Sequence, residues 1–476
     1  MIRQKYKRIV EWKPQCLPKD SSSLPSLNPT SPASAAITPI PIASSILPPI
    51  GPTLPSPGAL SYDVHTECIK SNSTISLPAE QQFLPVETAI AQKLDTDYHN
   101  ALYCGCLPAA DRIKSAASSE NPLAQAYLSL LCEFGCRAVL QDEVCAVWYA
   151  VKASPFLNRF VACGNVYAQF HLGVVYENGI GRDADEKMAV KYYQLAADQG
   201  HAESQYNLGV CYDDGNGVGK CEQKAVIYYG LAADQGHADA QYNLGVCYDD
   251  GTGVLKNEEE AARYYKMPAD QGHAIAQINL GVCYAYGSGV SKNEQEAVKY
   301  YKMAADQGHA DAQCNLGTCY GQGRGVIKNE QEAVKYYKMA ADQGHVYGLF
   351  YLGRMFEYGT GVSIDKKKAL RYFKLAAAQN HTIAQHLVGT WYEMGIGVTK
   401  NEIVAVKYYT MAADQGHALA QYNLGRCYAN GFGGPKDEQE AVKYYKMAAN
   451  QGHDIAQNNL GVCYEIGIGV LKNKQE

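Results

Sequence analysis

The chain lacks any long uninterrupted apolar run. Its longest candidate, Ala33 to Leu60, is broken by Pro39, Pro41, Pro48, Pro49, Pro52, Pro55 and Pro57, and a helix cannot cross a bilayer through so many missing donors and ring clashes. The N-terminus opens with Arg3, Lys5, Lys7 and Arg8 but continues as Glu11-Trp12-Lys13-Pro14 in place of an apolar segment. That order argues against a Sec-type signal and makes a cytoplasmic location the expectation. A predominance of one charge is lacking too. Forty-two Lys and Arg stand against 48 Asp and Glu, a formal net charge of −6, so there is no field to draw in a phosphate backbone, and nucleic acid is not the expected partner.

Cysteine is sparse for a disulfide scaffold, with 16 in 476 residues. Cys211, Cys247, Cys283, Cys319, Cys427 and Cys463 share one slot of a repeat, which elsewhere holds Val175, Met355 and Trp391. A slot filled by Cys, Val, Met or Trp asks for an apolar body and not for thiol chemistry.

At this length one hydrophobic core is not enough, so several domains or a repeat array are required. Residues 1–86 are Pro/Ser-rich and predict a disordered tail. Residues 87–163 are helix-compatible, and the stretch from Asn121 to Ala153 resembles a degenerate first repeat with a longer loop. From 164 to 476 a 36-residue period is strict. Leu-Gly recurs from Leu172 to Leu460, with Val388-Gly389 in one place, and a Gly-x-Gly such as Gly215-Asn216-Gly217 follows. A paired aromatic and an Ala-rich stretch then lead to Asp-Gln-Gly-His, as in Asp234-Gln235-Gly236-His237. Nine copies start and eight finish.

Each unit divides into two helices. Helix A spans roughly His201 to Asp214 and stops at the glycine loop. Helix B begins at Asn or Asp in eight copies, from Asp185 to Asn473, with Cys221 as the exception; Asn293-Glu294-Gln295-Glu296 predicts a capping box. Gly236 and its equivalents take the place of a C′ glycine, for which Asn380 substitutes once. Pro268 predicts a bend or fraying late in one helix B. Asn473 to Glu476 spell the capping box of a helix B that does not follow, so either the sequence is a fragment or the last helix A is left uncovered, to be covered by a partner, by a dimer mate joined end to end or by local fraying. The fold class expected is all-α, a right-handed superhelical solenoid of 36-residue helix-turn-helix repeats.

Helix A with Leu-Gly-x-x-Tyr, the Gly-x-Gly-Val loop, and helix B with Ala-x-x-Tyr-Tyr-x-x-Ala-Ala-x-Gln-Gly together resemble the Sel1-like repeat, and Asn207 to Gly236 carry nearly the whole pattern. The resemblance covers residues 164–476. It implies a tetratricopeptide-like fold and a non-enzymatic adaptor or scaffold role in signalling and complex assembly, with a protein or peptide partner and no cofactor. A cysteine-rich branch associated with β-lactam binding or hydrolysis is the alternative. Its stapling cysteine pair is missing here, since the Ala-Ala-Asp-Gln-Gly segment holds no cysteine.

The nine copies of helix A divide by face. In the second copy positions 203, 206, 210, 213 and 214 vary, whereas Ala202, Gln205, Leu208, Gly209 and Tyr212 are steady and lie on the opposite side of a helix turning about 100° per residue. The variable side is expected to be exposed and, by analogy with related solenoids, concave. It is acidic in the early copies (Glu177, Asp213, Asp214, Asp249, Asp250). It is aromatic in the middle (Ile278, Tyr286, Tyr347, Phe350, Arg354, Tyr358) and mixed later (Tyr422, Arg426, Asn430). Aromatics and arginine on a groove are contact residues, and this order suits an extended or helical segment with a basic end.

Other chemistry does not fit. Eight histidines follow the Gln-Gly or Gln-Asn step, from His201 to His453, but equivalents on helices about 8 to 10 Å apart cannot share a zinc ion. A structural place at the helix B C-terminus, where a cation is favoured, is expected instead. The Gly-x-Gly joins two helices and follows no strand, so it is not a nucleotide loop. Cys104 with Cys106 and Cys132 with Cys136 lack a second pair at zinc spacing.

Overall fold

The computed structural model describes residues 85–104, 107–119, 121–134, 139 and 141–472; from Ala91 onward they belong to one unit. The tail expected over residues 1–86 lies outside them, apart from its last two residues, which open a helix. Cys106, Cys136 and the terminal capping box at 473–476 also lie outside.

The regular elements among the described residues are all α-helices. Pro85–Cys104, Leu107–Ser118, Pro122–Phe134 and Glu143–Ala162 come first. The 36-residue units follow, each a helix A such as Ala202–Asp214 and a helix B such as Glu222–Asp234. From Leu107–Ser118 onward each helix packs on the next in chain order, which is the one-dimensional stacking of a solenoid.

The steady residues make this packing close. A Cβ added to Gly209 would lie 2.7 Å from the ring of Tyr229. The Leu-Gly step therefore admits the fully buried second tyrosine of the pair, whose burial contributes roughly 2 kcal/mol. The first tyrosine stacks on helix A instead: Tyr212 and Tyr228 have ring centroids 5.7 Å apart and nearly parallel planes. The two loop glycines differ in purpose. Gly215 ends helix A at φ +80°. Gly217, at φ +69°, runs so close to the preceding helix B that a Cβ there would sit 2.3 Å from the Glu186 carbonyl oxygen.

Helix B starts as expected at its Asn or Asp, and Cys221 makes no capping bond. The capping box, however, is only half formed. The Asn293 side chain accepts from the amides of Gln295 and Glu296 at 3.1 Å, but Glu296 turns to Lys299 at 3.0 Å. The Asn293 amide donates to the Tyr284 carbonyl at 2.8 Å. The loop returns the N-cap to the orphan carbonyls that end helix A, and these take the donor a glutamate would otherwise accept. Helix B closes with two bonds, His237 N to Ala232 O and Gly236 N to Ala233 O, the Schellman arrangement that needs a left-handed residue. Asn380 adopts it at φ 62°. Pro268 does not shorten its helix, which runs Glu258–Asp270 like its neighbours. Its carbonyl accepts from Gln271 and His273, so only the bond its own amide would have made is lost.

Candidate protein-binding face

The eight repeated histidines, expected at the end of helix B, stand instead at the start of the next helix. They are the N-caps of helix A. His237 Nδ1 accepts from the Ala240 amide at 3.2 Å, which places the ring proton on Nε2, where it donates to Glu203 at 2.7 Å. His345 lies 3.0 Å from Asp311 in the same way. A cation is disfavoured at a helix N-terminus, and burial pushes His381 down to about 4 and lowers His309 and His417.

These rings explain one of the variable positions. Residue 206 and its equivalents stack on the histidine of the next unit: Tyr206 on His237 at 4.6 Å, Phe350 on His381 at 4.5 Å and Tyr422 on His453 at 4.7 Å between centroids. The position belongs to the junction and not to an open groove. Ile278 is 3% exposed, which corrects the expectation of a contact residue, and Phe350 and Tyr422 are half-buried. Variation there reflects an apolar site that several shapes can fill. Tyr347, also half-buried, meets His381 edge-on at 5.4 Å.

Where position 213 and its equivalents hold Glu177, Asp213 and Asp249, the carboxylates face inward as hydrogen-bond acceptors. The buried second tyrosine donates to Glu177 from Tyr193 at 2.8 Å, to Asp213 from Tyr229 at 3.5 Å and to Asp249 from Tyr265 at 3.3 Å. Burial and neighbouring Asp250 raise the Asp249 carboxyl. The two arginines are also engaged: Arg354 with Glu357 at 2.9 Å, and Arg426 with Glu393.

What stays open is the last residue of helix A. Asp214 is half-buried there, whereas Asp250, Tyr286, Tyr358 and Asn430 are exposed. Tyr286 and Tyr358 are 46% and 58% exposed, and Met394, which the residue pattern does not single out, is 59% exposed. Arg354 lies 4.5 Å and Lys366 5.9 Å from the Tyr358 ring centroid. The ring is held by cations and yet faces solvent.

A glutamine ladder is equally invisible in the pattern. Gln235 Nε2 donates to Gln205 Oε1 at 2.7 Å, and Gln205 Nε2 donates to the Ala197 carbonyl at 3.2 Å. The shared cysteine slot is buried, as its occupants implied. Burial pushes Cys247 and Cys283 up to about 12 and Cys319 and Cys427 up to about 11.

A family model described as Sel1 repeat matches residues 166–201, 202–237, 238–273, 274–309, 310–345, 346–381, 382–417, 418–453 and 454–476. A search of curated proteins finds no match. Among solved structures, the chain is similar to c5321, a protective antigen of uropathogenic Escherichia coli strains displaying an SLR fold. That match has 31% identity and a TM-score of 0.61, over 84% of this chain and 85% of that one. It is also similar to a Sel1 repeat protein from Oxalobacter formigenes, with 30% identity and a TM-score of 0.55 over 66% of this chain and 92% of that one. Repeats of this kind generally mediate contacts between proteins. With nine consecutive matching units, the chain belongs to the Sel1 repeat family.

Proposed function

We propose that the chain is a non-enzymatic scaffold that binds a protein segment along the exposed ends of its A helices. The observation that carries this reading is the row Tyr286, Tyr358 and Met394, large apolar side chains left in solvent at one register of the repeat. Aromatic residues and methionine are enriched at interface cores, and an aromatic ring already fixed by Arg354 loses little freedom on binding. Asp214 and Asp250 stand at the same register in the units before Tyr286, so the segment that fits has apolar anchors and a basic end. A cytoplasmic adaptor in signalling is the setting this suits.

The test is a peptide-display selection against the full chain, with a variant carrying Tyr286→Ala, Tyr358→Ala and Met394→Ala as counter-target. Selected peptides should pair apolar anchors with Lys or Arg. Their affinity should fall at least about tenfold on the variant while its melting is unchanged. Peptides that bind both proteins equally would refute the reading.

A further inference from the structure

Helix Pro85–Cys104 precedes the matched repeats, and from Ala91 onward it is seated on the first of them. It buries Ala91, Leu94, Tyr98 and Ala101 and reaches three successive helices. Tyr98 stacks on Tyr127 with centroids 5.0 Å apart, His99 lies 6.2 Å from the Phe170 ring, and His99 Nδ1 lies 4.0 Å from Glu203. The centre of this contact is Asp95. It accepts from the Tyr127 hydroxyl at 2.6 Å, and His201 Nε2 faces its other oxygen at 3.6 Å. The Ser204 amide donates to His201 Nδ1 at 3.2 Å, so the ring proton is on Nε2 and points at the carboxylate. Burial alone would raise the Asp95 carboxyl, but His201 and His99 outweigh it and hold it well below the ordinary range.

His201 stands in a frame of two rings, Tyr167 edge-on at 5.6 Å and Phe170 at 4.9 Å between centroids. The frame occurs twice. Of the nine copies of helix A, only those beginning at Val166 and Val346 combine Tyr at the second position with Phe at the fifth. The later one sets Tyr347 edge-on to His381 at 5.4 Å and Phe350 at 4.5 Å. The Ala384 amide donates to His381 Nδ1 at 3.1 Å, so here too Nε2 carries the proton. In other units Glu203, Asp239 and Asp311 place a carboxylate on the next histidine from within the repeat. Tyr347 cannot, and among the described residues no carboxylate offsets the burial that holds His381 down to about 4. His381 is half-buried. Its Nε2 is bonded by no described residue, and it is not one of the polar atoms closed off from solvent.

We propose that the pocket of Tyr347, Phe350 and His381 binds a helix of a partner protein through an aspartate, as the pocket of Tyr167, Phe170 and His201 holds Asp95. An N–H aimed from an aromatic frame favours a carboxylate, and a helix laid on the row of A helices is a recurring mode of recognition. The resident helix is tied at home by the Tyr98 stack and by Arg112, whose Nε donates to Asp97 at 2.9 Å. Around the second pocket Ile383 takes the place of Glu203, so the partner's residue four after the aspartate is apolar where the resident helix has His99. The pocket lies at the start of the A helices, apart from Tyr286, Tyr358 and Met394 at their ends.

The probe is a labelled synthetic peptide of residues 85–103 carrying His99→Leu, titrated by fluorescence anisotropy into the full chain. Saturable binding with Kd below about 1 mM is expected, at least about tenfold weaker for the peptide that also carries Asp95→Asn. The decisive variant of the chain is Tyr347→Glu. It supplies His381 with a carboxylate from within the repeat, as Glu203 does for His237 at 2.7 Å, so it should fold and yet lose the peptide by at least about tenfold. His381→Asn keeps the capping acceptor, removes the Nε2 donor and should lose it too. The variant with Tyr286, Tyr358 and Met394 changed to alanine should bind the peptide as the wild type does, which separates this site from the row at the helix ends. No saturable binding, or equal binding to Tyr347→Glu, would overturn the proposal. Binding lost only with His201→Asn would mean exchange with the resident helix, and a chain that is dimeric by light scattering but monomeric as His381→Asn would give the pocket to a second copy; either result overturns it as well.

Discussion

The imidazole of His381 lies on the ring of Phe350, centroids 4.5 Å apart and planes 25° from parallel, while its Nδ1 caps the helix Thr382–Met394 by accepting from Ala384 at 3.1 Å. One residue thus joins two successive units and starts a helix.

A pH dependence follows from this double role. His381 titrates near 4 in the folded chain and near 6.5 when unfolded, so the unfolded state binds the proton first. Its contribution is complete above pH 6.5 and declines as pH falls from about 6.5 toward 4. His381→Asn keeps a capping acceptor but removes both the ring stack and the titration. At pH 7 the variant should be less stable by about 1 kcal/mol, and because a shift from 6.5 to about 4 removes more than that on acidification, the gap should close on the way down and be reversed by pH 4, as read from denaturant melts. A gap of constant size across that range would contradict the neutral cap.

The second loop glycine should tolerate nothing larger. Gly217→Ala combines a left-handed φ with a Cβ 2.3 Å from the Glu186 carbonyl oxygen and should cost about 2 to 3 kcal/mol. Two residues on, a Cβ added to Gly219 would meet nothing within 4 Å, and Gly219→Ala should change stability by less than about 0.5 kcal/mol. Thermal melts of the two variants make the comparison.

The repeated cysteines should behave as small apolar residues. Thiolates are the reactive form, and burial holds Cys247 and Cys319 largely protonated. Maleimide labelling at pH 7, read by mass spectrometry, should reach exposed Cys145 in the folded chain and the buried row only after denaturant is added. Cys247→Val, the residue found at 175, should be tolerated within about 1 kcal/mol.

The repeat and both helix boundaries were legible because caps and glycines act locally: Asn293, Gly215 and Gly236 announce their positions within a few residues. Contacts between units were less so. Gln205 and Gln235 are both plain in the sequence, but their bond depends on how successive hairpins lean together. The same holds where Leu349 interrupts the ladder and Gln379 turns to the Gly344 carbonyl at 2.8 Å. The variable face misled at position 206 for a related reason. Phe350, Ile278 and Tyr422 vary because an apolar junction accepts different shapes, and sequence variation alone does not separate that from exposure. Position 214, with Tyr286 and Tyr358, varies because solvent lies beyond it.

The most direct measurement is site-specific photo-crosslinking in living cells, with a photoreactive phenylalanine placed at Tyr358 or, in a separate chain, at Met339, a half-exposed helix B residue. The account predicts protein adducts from position 358 that are lost when Tyr286 and Met394 become alanine, and few from 339. Adducts from 339 alone would move the binding surface to the B helices and contradict it.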